Sequence, residues 1–145
     1  MLDAIGDELL HYQTNPGNIG FEITETAVMQ NMDRGRHFAE RMVALGCRFA
    51  LDDFGTGFAS FTYLKQLLVH YLKIDIEFVR DVVHSPRDRS VVTAIVSLAR
   101  GFGQQTIAEG VENEETAGVL RSLGVTLAQG YLFGAPAPLV DGRPA

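Results

Sequence analysis

Short apolar runs that end in a polar or charged residue recur along this chain, separated by segments whose apolar residues return at helical spacing. The runs are Ile19 to Glu22, Arg48 to Asp53, Tyr71 to Asp75, Gln105 to Glu109 and Val125 to Gln129. All are rich in Ile, Val, Leu or Phe, and their length suits strands of a buried parallel sheet. Between the first two, Asp33 to Leu45 places Phe38, Met42 and Leu45 on one helical face, and Gly46 is the stop signal. After the second run, the loop Gly55-Thr56-Gly57 leads into a predicted helix over Phe58 to Leu67. Ser90 to Arg100 then offers Val91, Ala94, Ile95, Leu98 and Ala99 to a sheet, and Gly101 ends it. The next helix is capped by Asn113, carries Glu114 and Glu115 at the positive end of its dipole, and stops at Gly124. The amino-terminal stretch, with Leu2, Ile5, Leu9 and Leu10, predicts one more amphipathic helix.

Strands alternating with covering helices predict an α/β fold with a parallel sheet. No Gly-x-Gly-x-x-Gly follows the first strand, and polar residues gather instead at the carboxyl end of every strand. That distribution belongs to the TIM-type (β/α)8 barrel, in which several strands each contribute to one site. A complete barrel needs about 250 residues, whereas this chain has 145. About five strands with covering helices are expected here, a partial barrel forming a single incomplete domain over 1–145. The Glu22 and Gln129 strands would each present an unpaired edge, and such edges predict a homodimer or higher oligomer.

Composition narrows the function classes. Hydrophobic residues make up 46% and charged ones 21%, enough to bury a core. No apolar tract approaches the roughly 18 residues of a spanning helix, and no basic segment leads into an apolar one at the amino end, so membrane insertion and secretion are not expected. A single cysteine, Cys47, excludes a disulfide framework or a multi-Cys zinc site and suits a reducing cytoplasm. Eighteen acids against twelve bases give a net charge of −6, which argues against a DNA-binding surface.

The strand-end residues, in order, are Glu22, the pair Asp52 and Asp53, Lys73, Glu109 and Gln129, with Glu25 and Glu112 three positions beyond two of them. In a closed sheet they converge on one mouth, six carboxylates around one lysine. Like charges so placed repel, raising some pKa values or demanding cations. An all-oxygen donor set selects a hard ion, Mg²⁺ or Mn²⁺, over zinc. None of His11, His37, His70 and His84 falls on a strand end, and each is expected to be a surface or helix-packing histidine. The adjacent aspartates allow one acid to bridge two ions about 3.5 to 4 Å apart, the arrangement that hydrolyses phosphodiesters, with a lysine to orient water or neutralise a phosphoryl oxygen. Asp53-Phe54-Gly55 also occurs in kinase metal loops, but no Gly-rich strand or catalytic-loop motif accompanies it. Phe54, Phe58 and Phe61 are expected to pack under the loop, Cys47 to pack as a small apolar residue, and Asp75 to cap a helix or support the site.

In these residues the sequence resembles the EAL-domain family, the cyclic di-GMP phosphodiesterases. The shared motifs are Phe21-Glu22-Ile23-Thr24-Glu25, Leu51-Asp52-Asp53-Phe54-Gly55-Thr56-Gly57, Leu72-Lys73-Ile74-Asp75, Ala108-Glu109-Gly110-Val111-Glu112 and Gln129-Gly130-Tyr131-Leu132-Phe133. The resemblance runs from about Ile19 to Pro138. It implies that Glu22 and Asp52 hold one metal and Asp52 and Asp53 the other. It also implies that Lys73 contacts the nucleophilic water, that Glu109 is a general base or metal-shell acid, and that Gln129 supports the site. Glu25 and Glu112 would steady the loop after Asp53 and complete the metal surroundings, and Phe54, Gly55, Thr56 and Gly57 would form the substrate loop. The implied reaction opens one phosphodiester of cyclic di-GMP to give pGpG.

The family's Glu-x-Leu strand and the strand with a metal-binding Asn have no equivalent here and are expected upstream of Met1. Glu8, in Asp7-Glu8-Leu9-Leu10, is the nearest imitation and sits on a predicted helix. Phe58-Ala59 stands for the more usual Tyr-Ser, and Leu68 for a common Pro. The resemblance therefore implies weak or absent hydrolysis by this chain alone. The alternatives are a non-catalytic cyclic di-GMP receptor or protein-interaction module, and a truncated product with no independent role.

Overall fold

In the computed structural model, residues 2–55 and 63–137 are described. The first half of the expected helix over Phe58 to Leu67 lies outside them, and its described half, 63–67, contains only a single 3₁₀ turn, Tyr63–Lys65. Five strands form one sheet: β1 (Gly20–Thr24), β2 (Arg48–Phe54), β3 (Tyr71–Ile74), β4 (Gln105–Ala108) and β5 (Leu127–Ala128). Every pairing is parallel and the spatial order is β1-β2-β3-β4-β5. An open doubly wound sheet reverses its order partway, placing helices on both faces. A monotonic order built from right-handed crossovers keeps the helices on one face, which is how a barrel wall winds.

The helices are α1 (Leu2–His11), α2 (Glu25–Gln30), α3 (Met32–Ala44), α4 (Ile76–Val79), α5 (Pro86–Gly101) and α6 (Glu114–Ser122). Each start from α2 onward has a chemical cause. Side-chain oxygens of Thr24, Asn31, Asp75, Ser85 and Asn113 accept N–H groups of the first turn of α2 to α6 respectively. Helix α5 begins four residues earlier than its apolar spacing predicts, because Ser85 caps it and Pro86 fills the first helical position, where a missing N–H costs nothing.

Its buried face is as expected at Ile95 and Ala99 and differs at Ala94. Val92, Ile95, Val96 and Ala99 are buried, while Ala94 is exposed. Ile95 and Ala99 belong to the expected stripe, Val91 and Leu98 are partly buried at its edge, and the centre of the face is shifted toward Val92 and Val96. Leu45 is another correction: it lies past the last turn of α3, is 37% exposed, and rests near Gly6 of α1. β5 is shorter than the apolar run at 125–129 because Thr106 and Thr126 replace ladder bonds with side-chain ones. Each accepts the other's N–H on its hydroxyl, at 3.2 and 3.4 Å.

The two faces of the sheet are unlike. Phe49, Leu51, Leu72, Ile74 and Ala108 are buried beneath the helices. The opposite face carries Glu22, Ala50, Asp52, Tyr71, Lys73 and Ile107, brought together by ladder partners such as Glu22 with Ala50 and Lys73 with Ile107. Cys47 and Phe54 are buried in the core as expected, and Glu8 is exposed. No helix among the described residues is long and apolar enough to cross a membrane.

Candidate active site

The site is built where β2 breaks its register. Leu51 pairs with Leu72 and Phe54 with Ile74, so Asp52 and Asp53 together face the single residue Lys73. Such a bulge inserts one residue and re-aims its side chain. Asp53 absorbs the insertion in a left-handed conformation, φ 55, which a short acidic side chain tolerates better than most. Its N–H donates to Asp52 Oδ1 at 3.1 Å. Two adjacent aspartates thus reach one mouth although regular alternation would send them to opposite faces.

Lys73 is the centre of the arrangement. Its side chain is 4% exposed, and its Nζ lies 2.7 Å from Glu22 Oε2, 2.9 Å from Asp52 Oδ1 and 2.5 Å from Glu109 Oε1. An ammonium has three donors, and here each has a carboxylate. Burial acts to lower the lysine's pKa, but hydrogen bonds to Glu109, Glu22 and Asp52 outweigh it and hold the group well above its ordinary value. Glu109 is pushed upward, chiefly by burial and then by the charges of Asp52 and Glu22, against the pull of Lys73. Asp53 also rises, through burial and the charges of Asp52 and Asp75.

Asp52, Asp53 and Glu109 each offer a carboxylate oxygen, and these oxygens all lie within 4.8 Å of one another. Three hard oxygens converging at that spacing fit a Mg²⁺- or Mn²⁺-type ion. Glu22 reaches this group through Lys73 and is the most open of the four acids, its side chain 49% exposed. Gln129, beyond the end of β5, donates from Nε2 to Glu109 Oε1 at 2.7 Å, so that oxygen accepts from both Gln129 and Lys73.

The remaining expected residues divide. Glu25, 2% exposed, accepts the N–H of Gly55 on Oε2 at 3.1 Å, tying the start of α2 to the loop after Asp53. Phe54 lies beneath that loop, 2% exposed. Thr56, Gly57, Phe58 and Phe61 lie outside the described residues. Glu112 is exposed and lines a hollow of about 310 Å³ with Ile76, Arg80, Gly110, Asn113 and Thr116, apart from the convergent carboxylates. Asp75 caps α4, accepting the Glu77 N–H at 2.6 Å.

One histidine departs from expectation. His70 is half-buried and lies on no helix: it precedes β3, and Phe49 N–H donates to its Nδ1 at 3.1 Å. Spacing on β3 could have located His70 one residue before the strand, but no local signal marks a ring nitrogen that substitutes for a carbonyl in the ladder.

A family model described as EAL domain matches residues 1–136. The cyclic di-GMP phosphodiesterase PdeB of Shewanella oneidensis is 46% identical over 121 residues, which are 83% of this chain and 14% of that protein. Among solved structures, the PaMucR phosphodiesterase in complex with c-di-GMP superposes with a TM-score of 0.88 at 37% identity, covering 94% of this chain and 56% of that one. Klebsiella pneumoniae BlrP1, in a manganese and cy-diGMP complex, gives 0.82 at 32% identity, covering 90% of this chain and 33% of its own. This chain therefore spans little more than half of the first structural relative and a small part of PdeB. With the match running across almost all of its length, the chain belongs to the EAL domain family.

Proposed function

We propose that this chain carries most of a two-metal site for hydrolysing cyclic di-GMP to pGpG. The observation that carries the reading is the convergence of Asp52, Asp53 and Glu109 beside a buried lysine. Asp52, Asp53 and Glu109 would hold Mg²⁺ or Mn²⁺, with Glu22 joining once Lys73 releases it. When bound, divalent ions supply an activated water and stabilise charge on the attacking and leaving oxygens. The chain's own groups do the rest. Lys73 gives up one of its three carboxylates to meet a phosphoryl oxygen or the attacking water, placing positive charge where negative charge develops. Glu109, already raised by burial, is suited to hold a proton that the water loses. Gln129 fixes which Glu109 oxygen faces the site, and Glu25 holds the loop after Asp53 by the Gly55 N–H.

Two readings share this geometry. Because Lys73 bridges three of the acids without any ion, the cluster can stay folded as a binding surface, which favours the alternative of a non-catalytic cyclic di-GMP receptor. The purified 145-residue chain, given cyclic di-GMP and Mn²⁺, separates them. We expect calorimetric binding with little or no pGpG, since the Glu-x-Leu and Asn strands are absent from it. Family-like turnover would overturn the expectation of weak hydrolysis, and absence of binding would overturn both readings. A cytoplasmic location belongs to the same proposal, supported by a lone buried Cys47 that suits a reducing compartment.

A further inference from the structure

We infer that His70 is a pH-sensitive latch at the amino end of the sheet, closing β2 against β3 only while its imidazole is neutral. The pairing here is made twice between the same two residues. His70 N–H donates to Phe49 O at 2.7 Å, and Phe49 N–H donates back to His70 Nδ1 at 3.1 Å. The neighbouring amide, Arg48 N–H, turns the other way and donates to Ile19 O at 2.8 Å beside β1. Phe49 therefore presents its amide toward β3, and the ring nitrogen stands where a ladder carbonyl would. The His70 carbonyl in turn accepts Gln105 N–H at 3.0 Å, so one residue joins the bases of β2, β3 and β4.

An Nδ1 that accepts a hydrogen bond has no proton, so the neutral ring carries its hydrogen on Nε2. Protonation turns Nδ1 into a donor facing another donor. Phe49 is fully buried, and its amide would lose its partner where water does not reach. The charged groups around the ring favour the neutral form. On β2 the nearest is the Arg48 cation, and β3 adds Tyr71, whose ring centroid is 6.3 Å away. On β4 the residue bonded to its backbone is the uncharged Gln105. Burial first, and then Arg48, lower the histidine below its ordinary 6.5, and the Phe49 N–H, donating to an unprotonated Nδ1, favours the same neutral ring.

The sign follows from linkage. A depressed folded-state pKa means the unfolded or opened chain binds more protons just below pH 6.5, so the latch is fully effective above that value and weakens as pH falls. One unit below, the opening equilibrium rises by at most about tenfold, the limit in which the closed form takes up no proton. The effect reaches the site through geometry: β2 ends in Asp52 and Asp53, and β3 carries Lys73 three residues after His70.

Amide hydrogen exchange of the whole chain, followed by NMR and corrected for intrinsic rates, tests this. The Phe49 amide should lose several-fold protection between pH 7.5 and 5.5, more than amides of α5 do. His70→Asn retains an acceptor that does not titrate, and its Phe49 protection should stay level over that range. Ring carbon and nitrogen shifts of the unmodified protein provide a second reading: His70 should be the Nε2–H tautomer at pH 7.5. Equal pH dependence in His70→Asn and the parent, or an Nδ1–H tautomer, would overturn the assignment. Neither result depends on hydrolysis or ligand binding.

Discussion

Lys73 is a buried cation whose partners are only partly covered, and that asymmetry determines what its removal does. With Lys73→Met, Glu22, Asp52 and Glu109 lose their shared counter-charge while remaining close together. Breaking a buried ion cluster from one side leaves charge uncompensated and costs on the order of 3 kcal/mol. We expect the urea midpoint of Lys73→Met to fall accordingly, and Mn²⁺ to recover more stability in this variant than in the parent, because the ion replaces the missing positive charge. Unfolding curves with and without Mn²⁺ check it; a variant as stable as the parent in chelator would mean that the lysine is not the electrostatic keystone. The acids themselves were readable from the sequence because each ends an apolar run. That Lys73 would engage three of them at once was not, since it depends on strand register and not on spacing along the chain.

At the scale of elements, the strand–helix alternation was legible because β-branched runs and helical stripes differ in period. Two short helices were not. α2 and α4 are too brief to show a period, and their only sequence signal is the capping residue, Thr24 or Asp75. The bulge in β2 was equally hidden, for nothing in Leu51-Asp52-Asp53-Phe54 marks where the ladder skips a residue. Another hidden feature joins the ends of β4 and β5. Gly130 has φ 150, and a Cβ there would stand 2.3 Å from both the nitrogen and the oxygen of Val111. These are backbone atoms already bonded: Val111 N–H donates to Gln129 O, and Leu132 N–H donates to Val111 O, each at 3.0 Å. Gly110, with φ 64, would also place a Cβ 2.3 and 2.4 Å from Cδ1 and Cγ1 of Ile76, but these are side-chain atoms of a half-exposed residue, which a change of rotamer can move, and not bonded backbone. Gly110→Ala should therefore cost about 1–2 kcal/mol, the ordinary left-handed penalty. Gly130→Ala should cost more, roughly 3 kcal/mol, and should detach Gln129 from Glu109. Urea unfolding of the two variants side by side decides; equal losses would show that the β5 loop can shift as freely as the Ile76 side chain.

Across the whole molecule the charge has an address. Apart from Glu22, Glu25, Asp52, Asp53, Glu109 and Glu112, the remaining twelve acids match the twelve bases in number. The structure sharpens this: five of the six lie at or beside the strand ends around Lys73, while Glu112 faces the separate hollow near Arg80. An excess concentrated in one place responds to a point charge, and an excess spread over the surface responds to ionic strength. Divalent cation should accordingly raise the melting temperature where sodium chloride of equal ionic strength does not. At a hundred times its dissociation constant, an ion that binds only the folded state adds about 2.7 kcal/mol. For a chain of this size that is a shift on the order of 5–10 °C. Asp52→Asn removes an oxygen from the convergent group and from Lys73, and should reduce the shift sharply, whereas Glu112→Gln, away from the group, should leave it intact. Thermal scans of the parent and these two variants in Mn²⁺ and in matched salt make the comparison. Equal stabilisation by both salts, or loss of the shift in Glu112→Gln alone, would place the cation elsewhere than at Asp52, Asp53 and Glu109.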